Sequence, residues 1–124
     1  MIAEKTMTTE EVANRFNELA QTGDWNRIQE ELFAENAVSI EPSDSPGMRT
    51  VEGIDAIKGK AKQFGEMLEE MHGGYSRDPQ VAGRHFAVAM GMDCTMKGMG
   101  RQKMDEIAVY EVKDGKIVKE QFFY

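Results

Sequence analysis

Met104-Asp-Glu-Ile-Ala-Val-Tyr-Glu-Val-Lys-Asp-Gly-Lys-Ile-Val-Lys-Glu-Gln-Phe-Phe-Tyr124 closes the sequence and decides its fold class. Asp114-Gly115 separates two strand-like runs, and this dipeptide is typical of a tight β-hairpin turn that needs positive φ at both central positions. Amphipathic helical patterns occupy the first half of the chain instead. Helices first and strands last predict an α+β fold.

Two short helices and a strand are predicted before the middle of the chain. Thr8 and Glu11 have the spacing of a capping box, in which each side chain accepts a hydrogen bond from the other residue's backbone N–H. Gly23 is expected to end the first helix, and Asp24 to cap the second. A short strand is expected over Ala37–Glu41, directly before Pro42.

A long helix and a central strand are predicted next. Apolar residues after Gly53 recur every three or four positions and predict a helix that runs to Met71 and is stopped by His72-Gly73-Gly74. From Arg84 to Lys97 the pattern has a period of two, as in a strand, with an apolar stripe from Phe86 to Met96. A curved antiparallel sheet with helices on one face would bury these stripes and leave a pocket at its wide end.

Composition limits the function classes. The 124 residues are expected to form one domain, 1–124, with a flexible N-terminus over residues 1–7. A net charge of −7 disfavours nucleic acid and anionic lipid surfaces. Cys94 is the only cysteine, which fits a reducing, cytoplasmic location. Neither a signal peptide nor a membrane span is indicated, and the motifs of zinc and phosphate sites are absent.

Three segments together resemble the nuclear-transport-factor-2-like superfamily, and within it the SnoaL-like and ketosteroid-isomerase-like proteins. They are the first helix ending at Gly-Asp (Arg15–Asp24), the entry into the first strand (Phe33–Pro42) and the closing hairpin (Tyr110–Ile117). The resemblance implies a cone-shaped curved antiparallel sheet wrapped around three N-terminal helices, the cystatin-like, SnoaL-like α+β barrel. It also implies a homodimer formed through the outer sheet face, and no metal or organic cofactor.

The resemblance also implies a catalytic position. In the isomerases, an Asp directly before a Pro at the end of the first strand is the general base, and Glu41 stands there in this sequence. Their two oxyanion donors, a Tyr in the first helix and an Asp on the penultimate strand, align with Phe16 and Ile107. Because both donors are replaced, the resemblance argues against steroid isomerisation. The alternative for Glu41 is a solvated acid that begins the Pro42 loop.

Further candidates surround the expected pocket. His72 is a candidate acid/base at its rim, or a solvated histidine favoured by a helix C-terminus. Asp105 would lie opposite Asp93 on one sheet face if the intervening turn centres on Met99, and the two carboxylates would then share a proton. The alternative is a pair of surface acids near the hairpin end, and a register slip of one residue would put them on opposite faces. Aromatic and acidic residues are expected to line the pocket, or to be ordinary core and interface residues: Trp25, Glu120, Phe122 and Tyr124.

Three functions follow from these patterns. The first is an enzyme, a cofactor-independent isomerase, cyclase or dehydratase that acts on a small apolar molecule with Glu41 as base and His72 as a candidate acid. The second is a non-catalytic protein that binds a hydrophobic ligand, favoured by the missing oxyanion donors. The third is a dimeric interaction module, favoured by the apolar stripe from Phe86 to Met96.

Overall fold

The computed structural model describes residues 6–124, so residues 1–5 of the predicted flexible N-terminus lie outside the described range. Within that range the helices and strands follow in the order α1 (Thr9–Gln21), α2 (Trp25–Leu32), β1 (Phe33–Ile40), β2 (Val51–Glu52), α3 (Ile54–Met67), β3 (Leu68–Ser76), β4 (Gln80–Ala82), β5 (His85–Met96), β6 (Gly100–Lys113) and β7 (Lys116–Phe123).

The strands form one curved, unclosed sheet in the order β2-β1-β7-β6-β5-β3, and β4 pairs with β5 outside this path. β1 and β7 run parallel, whereas the other pairs are antiparallel. The predicted α+β cone is therefore confirmed, with a mixed sheet in place of a wholly antiparallel one. Within residues 6–124, no helix combines the length and apolarity that crossing a bilayer requires.

The first two helices begin as predicted. The Thr8 hydroxyl accepts a hydrogen bond from the Glu11 N–H at 3.1 Å, and the Glu11 carboxylate accepts one from the Thr8 N–H at 2.9 Å. Asp24 caps α2 through the N–H of Arg27. These bonds satisfy N–H groups that have no partner inside the helix.

The third helix is shorter than predicted. α3 ends at Met67, and residues 68–76 form β3, which pairs with β5. Leu68 and Met71 fit the helical spacing. As a strand, however, this segment supplies hydrogen-bond partners to the backbone along the free edge of β5. This tertiary pairing overrides the local helical preference. His72 therefore lies within a strand and not at a helix end.

An aromatic cluster forms the centre of the core. Phe16 of α1 packs against Phe86 and Tyr110 with ring centroids 5.4 Å and 4.8 Å away, and Phe86 stacks on Tyr110 at 4.9 Å. The apolar stripe of β5 is buried: Phe86, Val88 and Met90 belong to this core, and Cys94 and Met96 are buried further along the strand. The stripe is thus core, which removes the observation that favoured an interaction module.

The closing turn has the predicted geometry. Asp114 and Gly115 have φ values of 51° and 76°, as a type I′ turn requires. A Cβ atom at Gly115 would lie 2.6 Å from the Thr6 side chain and 3.0 Å from the Met7 nitrogen. Gly115 is therefore required both by the backbone conformation and by the segment that packs on the turn.

Replacing Gly115 with Ala should destabilise the protein by more than the same change at Gly83. Gly83 also has positive φ, 58°, but open space around its Cβ position. Gly83→Ala should therefore lower the free energy of unfolding only by the cost of a left-handed backbone conformation, about 1–2 kcal/mol. Gly115→Ala adds the steric clash. Urea unfolding of the two variants measures the difference, and equal losses would contradict a role for the contact with Thr6 and Met7.

Candidate active site

The end of β1 turns a carboxylate into the hollow of the sheet. Side chains alternate along a strand, so Ala37, Ser39 and Glu41 share the inner face. Ser39 is fully buried and the Glu41 side chain retains only 5% of its exposure. The Glu41 N–H donates to the Thr50 hydroxyl at 3.0 Å, which ties this point to the following loop.

Lys60 of α3 provides the counter-charge. Its ammonium donates to Glu41 Oε2 at 2.8 Å and to Ser39 Oγ at 2.7 Å. The Lys60 side chain is 9% exposed and its Nζ lies 5.6 Å from the centre of the Phe122 ring. Lys60 and Glu41 therefore form a buried ion pair, an arrangement that is costly to desolvate unless further hydrogen bonds complete it.

Tyr124 supplies the second donor to Glu41. Its hydroxyl donates to Glu41 Oε1 at 2.6 Å. Since that hydroxyl has one proton, Ser45 must be the donor in the 2.6 Å bond between Ser45 Oγ and the Tyr124 oxygen. Met48 N–H in turn donates to Ser45 Oγ at 3.4 Å. Tyr124 is exposed overall, yet its hydroxyl closes a chain of hydrogen bonds that ends on Glu41.

Two further glutamates face the same hollow. Glu120 of β7 is buried, and Glu106 of β6 is half-buried on the face that carries Ala108 and Tyr110. Burial, followed by repulsion from Glu41 and Glu120, raises the pKa of Glu106 to about 7. Burial also raises the pKa of Glu120 to about 7, against hydrogen bonds from Ser39 and Tyr110 and the charge of Lys60.

We call Glu41, Lys60, Glu106, Glu120 and Tyr124 the acidic cluster. Three carboxyl groups in it face one ammonium, so simultaneous ionisation of all three is unfavourable and protons are retained near neutral pH. Burial raises the pKa of Tyr124 to about 12, which keeps its hydroxyl a hydrogen-bond donor. Within residues 6–124, no group of three or more His, Cys, Asp or Glu side chains is arranged to hold a metal ion.

A β-bulge decides which side chains of β6 face the cluster. Glu111 pairs with Lys119 but Val112 pairs with Ile117, so Val118 is an extra residue in β7. Counting from the turn without this bulge places Asp105 and Ile107 on the inner face together with Glu120. The bulge shifts the register by one residue, so Glu106 shares the inner face with Glu120 and its two neighbours in β6 point outward.

Asp105 and Ile107 consequently lie on the outer face, which corrects their predicted place in the pocket. Ile107 is 51% exposed. The Tyr75 hydroxyl donates to Asp105 at 2.7 Å, while Asp93 is bound by Arg101. Asp93 pairs with Lys103 and not with Asp105, because the turn between β5 and β6 centres on Gly98 and not on Met99.

The other predicted residues separate into two groups. Glu120, Phe122 and Tyr124 share one face, as the alternation predicts, and this face lies toward the hollow with Glu41, as the resemblance implies. Phe16 belongs to the aromatic core, and Trp25 packs on it with ring centroids 6.0 Å apart.

His72 does not join the acidic cluster. It lies on β3, its Nε2 is 2.7 Å from Thr95 Oγ1 and 4.0 Å from a Glu70 carboxylate oxygen. The structure does not place His72 beside Glu41 at the pocket rim, because the helix end assumed for it is replaced by β3. Lys60 and Glu106 were missed. A lysine on the helix that covers the sheet was the one available signal.

A cleft opens beside the acidic cluster. It has a volume of about 260 Å³, slightly below the usual range for small-molecule sites, and lies between α3 and the loop that leads into β2. Lys60 lines the cleft and also contacts Glu41, so one side chain connects the two. The cleft is lined by Gly47, Met48, Arg49, Val51, Ala56, Gly59, Lys60 and Gln63.

The sequence model of the SnoaL-like domain matches residues 7–124. The chain belongs to the SnoaL-like family. Among solved structures it is similar to a candidate SnoaL-like polyketide cyclase from Mesorhizobium loti, with 38% identity, a TM-score of 0.88, and coverage of 95% of this chain and 100% of the other. No functionally curated protein matches this SnoaL-like chain significantly.

More distant structures support the SnoaL-like fold alone. One is a Xanthomonas campestris protein of unknown function with a cystatin-like fold, at 19% identity and a TM-score of 0.77, with 94% and 90% of the two chains covered. Another is a Catenulispora acidiphila protein with a ketosteroid-isomerase-like fold, in complex with trimethylamine, at 19% identity and a TM-score of 0.70, with 94% and 87% covered.

The raised pKa values predict that the protein loses stability as the pH rises from about 4.5 to about 7. In this window the unfolded chain has released the protons of Glu106 and Glu120, whereas the folded chain holds them. The free energy of unfolding therefore falls with pH. For the buried Glu120, a shift of this size corresponds to about 3 kcal/mol. Urea unfolding at several pH values measures the effect.

Two matched variants test whether Glu120 causes this pH dependence of stability. Glu120→Gln keeps a hydrogen-bonding side chain of the same shape without the ionisable group, so it should flatten the decline. Glu69→Gln alters an exposed acid of β3 and should leave the decline intact. A decline of the same size in both variants would contradict the assignment to Glu120.

Proposed function

We propose that this SnoaL-like protein is a cofactor-independent enzyme that moves a proton on a small, largely apolar substrate by general acid/base catalysis. The observation that carries the proposal is the acidic cluster, in which the Glu41 carboxylate is paired with Lys60 while burial raises the pKa of Glu106 and Glu120 to about 7. Environments that separate the protonation of neighbouring carboxyl groups are typical of acid/base sites. Isomerisation, cyclisation and dehydration all need a base and an acid placed in this way.

Glu41 is the base in this proposal. Its carboxylate is held by Lys60 and Tyr124, at 2.8 Å and 2.6 Å, in a hollow that excludes most water. Proton abstraction from a carbon next to a carbonyl group would place a proton on Glu41 and negative charge on the substrate oxygen. Lys60 and Tyr124 are the donors closest to Glu41 that can stabilise such an oxyanion.

Glu106 and Glu120 are the acids. A pKa of about 7 leaves each of them substantially protonated at neutral pH and able to return a proton. This role replaces His72, which contacts Thr95 instead. The similarity to a candidate polyketide cyclase at 38% identity supports a substrate that carries carbonyl groups.

A second function, ligand binding without catalysis, is favoured by one observation. Both oxygens of Glu41 are already engaged, one by Lys60 and one by Tyr124. Each oxygen keeps a second lone pair, but a proton on Glu41 would neutralise it and forfeit the ion pair with Lys60. In a binding protein, the same contacts would only fix the wall of the site.

Proton abstraction can be tested without the natural substrate. Cyclic ketones and β-keto esters exchange their α-protons in D₂O, and NMR measures the rate. The wild-type protein should accelerate exchange of at least one compound that it binds, and Glu41→Gln should reduce the protein-dependent rate by about 10²–10⁴. Tyr124→Phe should produce a smaller loss because it removes one donor.

Two results would decide against catalysis. One is a wild-type protein that binds compounds of this panel yet leaves their exchange at the rate of the buffer. The other is a Glu41→Gln variant as active as the wild type. Glu69→Gln serves as the matched control, since it makes the same substitution at an exposed position outside the cluster.

We also propose that the protein is a homodimer joined through the outer sheet face. Ile107 of β6 and Phe123 of β7 are cross-strand partners there, 51% and 49% exposed, and form an apolar patch. Light scattering after size exclusion should give twice the chain mass, and Ile107→Glu should give the chain mass. A wild-type monomer at micromolar concentration would contradict this proposal.

A further inference from the structure

The cleft between α3 and the 47–51 loop differs in charge from the rest of the molecule. The chain has a net charge of −7, yet the cleft is lined by Arg49 and Lys60 and by no acidic residue. Gln63 adds an amide donor. Among residues 6–124, Arg49 has no ion-pair partner. A concave site with two cations and an amide donor is suited to an anionic group.

The remaining wall of the cleft is small and apolar. Met48, Val51 and Ala56 line it, and Gly59 contributes no side chain. A Cβ atom at Gly59 would find nothing within 4 Å, so the packing of α3 does not require glycine there. In a helix interior, glycine is less favourable than alanine by about 1 kcal/mol. Its effect at this position is to leave open space next to Lys60.

Lys60 gives the cleft a buried charged group. Its side chain is only 9% exposed and reaches from the cleft to Glu41. The loop on the opposite wall is also fixed to the cluster, through Thr50 on the Glu41 N–H and through Ser45 on Tyr124. A ligand in the cleft would therefore contact the group that holds the base.

We propose that the cleft binds the carboxylate of a small organic acid with an apolar body, and that Lys60 is shared between this carboxylate and Glu41. The inference rests on the proposed function, because it names the substrate class of the same site. A bound carboxylate draws Lys60 away from Glu41 Oε2, so that a proton transferred to Glu41 no longer costs the full ion pair. Arg49 orients the carboxylate, and Met48, Val51 and Ala56 pack on the apolar body.

Sharing of Lys60 has a measurable consequence. The groups that face Lys60 or one another in the hollow are Glu41 directly after β1, Glu106 and Tyr110 on β6, Glu120 on β7 and Tyr124 directly after β7. The Lys60 charge lowers the pKa of Glu106 and Glu120, against burial. When a carboxylate attracts Lys60, these acids should therefore take up protons near pH 7. Calorimetry in buffers of different ionisation enthalpy measures the number of protons bound.

Binding is tested with cyclohexanecarboxylate, benzoate and hexanoate, each compared with its neutral carboxamide, by NMR titration of backbone amides. At least one carboxylate should shift the signals of residues 47–51 and 56–63 and bind about tenfold or more tightly than its carboxamide. Proton uptake should accompany binding. Equal affinity for acid and amide, shifts confined to other regions, or no shift with any of the three acids would overturn the proposal.

Matched variants locate the site. Gly59→Leu should abolish binding by filling the cleft, whereas Gly65→Leu should retain it, since Gly65 lies on the same helix outside the cleft with open space around it. Arg49→Gln should weaken carboxylate binding about tenfold and leave carboxamide binding unchanged. Binding that survives Gly59→Leu in a folded protein would overturn the assignment of the ligand to this cleft. Binding without proton uptake would overturn the sharing of Lys60.

The failure of this inference and that of the proposed function give different results. Glu41→Gln removes the base but leaves the cleft, and its loss of the competing carboxylate should preserve or tighten binding of the acids. A protein that binds acids in the cleft but exchanges no ketone protons would support the ligand class and contradict catalysis. A protein that exchanges ketone protons but does not prefer acids would support catalysis and contradict the ligand class.

Discussion

The ammonium of Lys60 lies among three glutamates on the inner face of the sheet, and the arrangement of the hollow depends on it. Its contact with Glu41 is a buried ion pair, and breaking such a pair by removing one partner typically costs about 3–5 kcal/mol. Without Lys60, three carboxyl groups would face one another in a site of low polarity. α3 is therefore more than a cover for the sheet, because it carries the charge that lets the acidic residues be buried.

The hollow has two chemically different ends, and Tyr110 stands between them. Its ring belongs to the aromatic cluster with Phe16 and Phe86, and its hydroxyl interacts with Glu120. The aromatic end is closely packed and gives the domain its core. The polar end is where Tyr124, Ser45 and the 47–51 loop meet Glu41. The aromatic end thus stabilises the domain, and the polar end carries the ionisable groups of the proposed site.

Much of the fold was predictable because its signals are local. The Asp114-Gly115 turn, the Thr8 capping box and the alternation in β5 each depend on a few neighbouring residues, and all three predictions are confirmed. β3 was not predictable in this way. Leu68 and Met71 continue a helical spacing by coincidence, and only the exposed edge of β5, which is distant in sequence, makes the segment a strand.

The candidate site was predictable only in part. Alternation along one strand groups Glu120, Phe122 and Tyr124, and the family resemblance points them and Glu41 toward the pocket, which is where their side chains lie. Which side chains of β6 face inward depends on the bulge at Val118, and this bulge has no clear sequence signal. Because Val118 is an extra residue, Glu106 faces inward in place of Ile107. Lys60 was missed because a lysine on an amphipathic helix normally points to solvent. Its inward position follows from three carboxylates that lie on other elements.

The retention of protons by buried glutamates at neutral pH is the central claim, and NMR titration of side-chain carboxyl carbons tests it most directly. With ¹³C-labelled glutamate, the signals of Glu106 and Glu120 should titrate with midpoints near 7 and respond to each other's substitution by Gln. Midpoints for both residues near the ordinary glutamate value of about 4.3 would contradict the account.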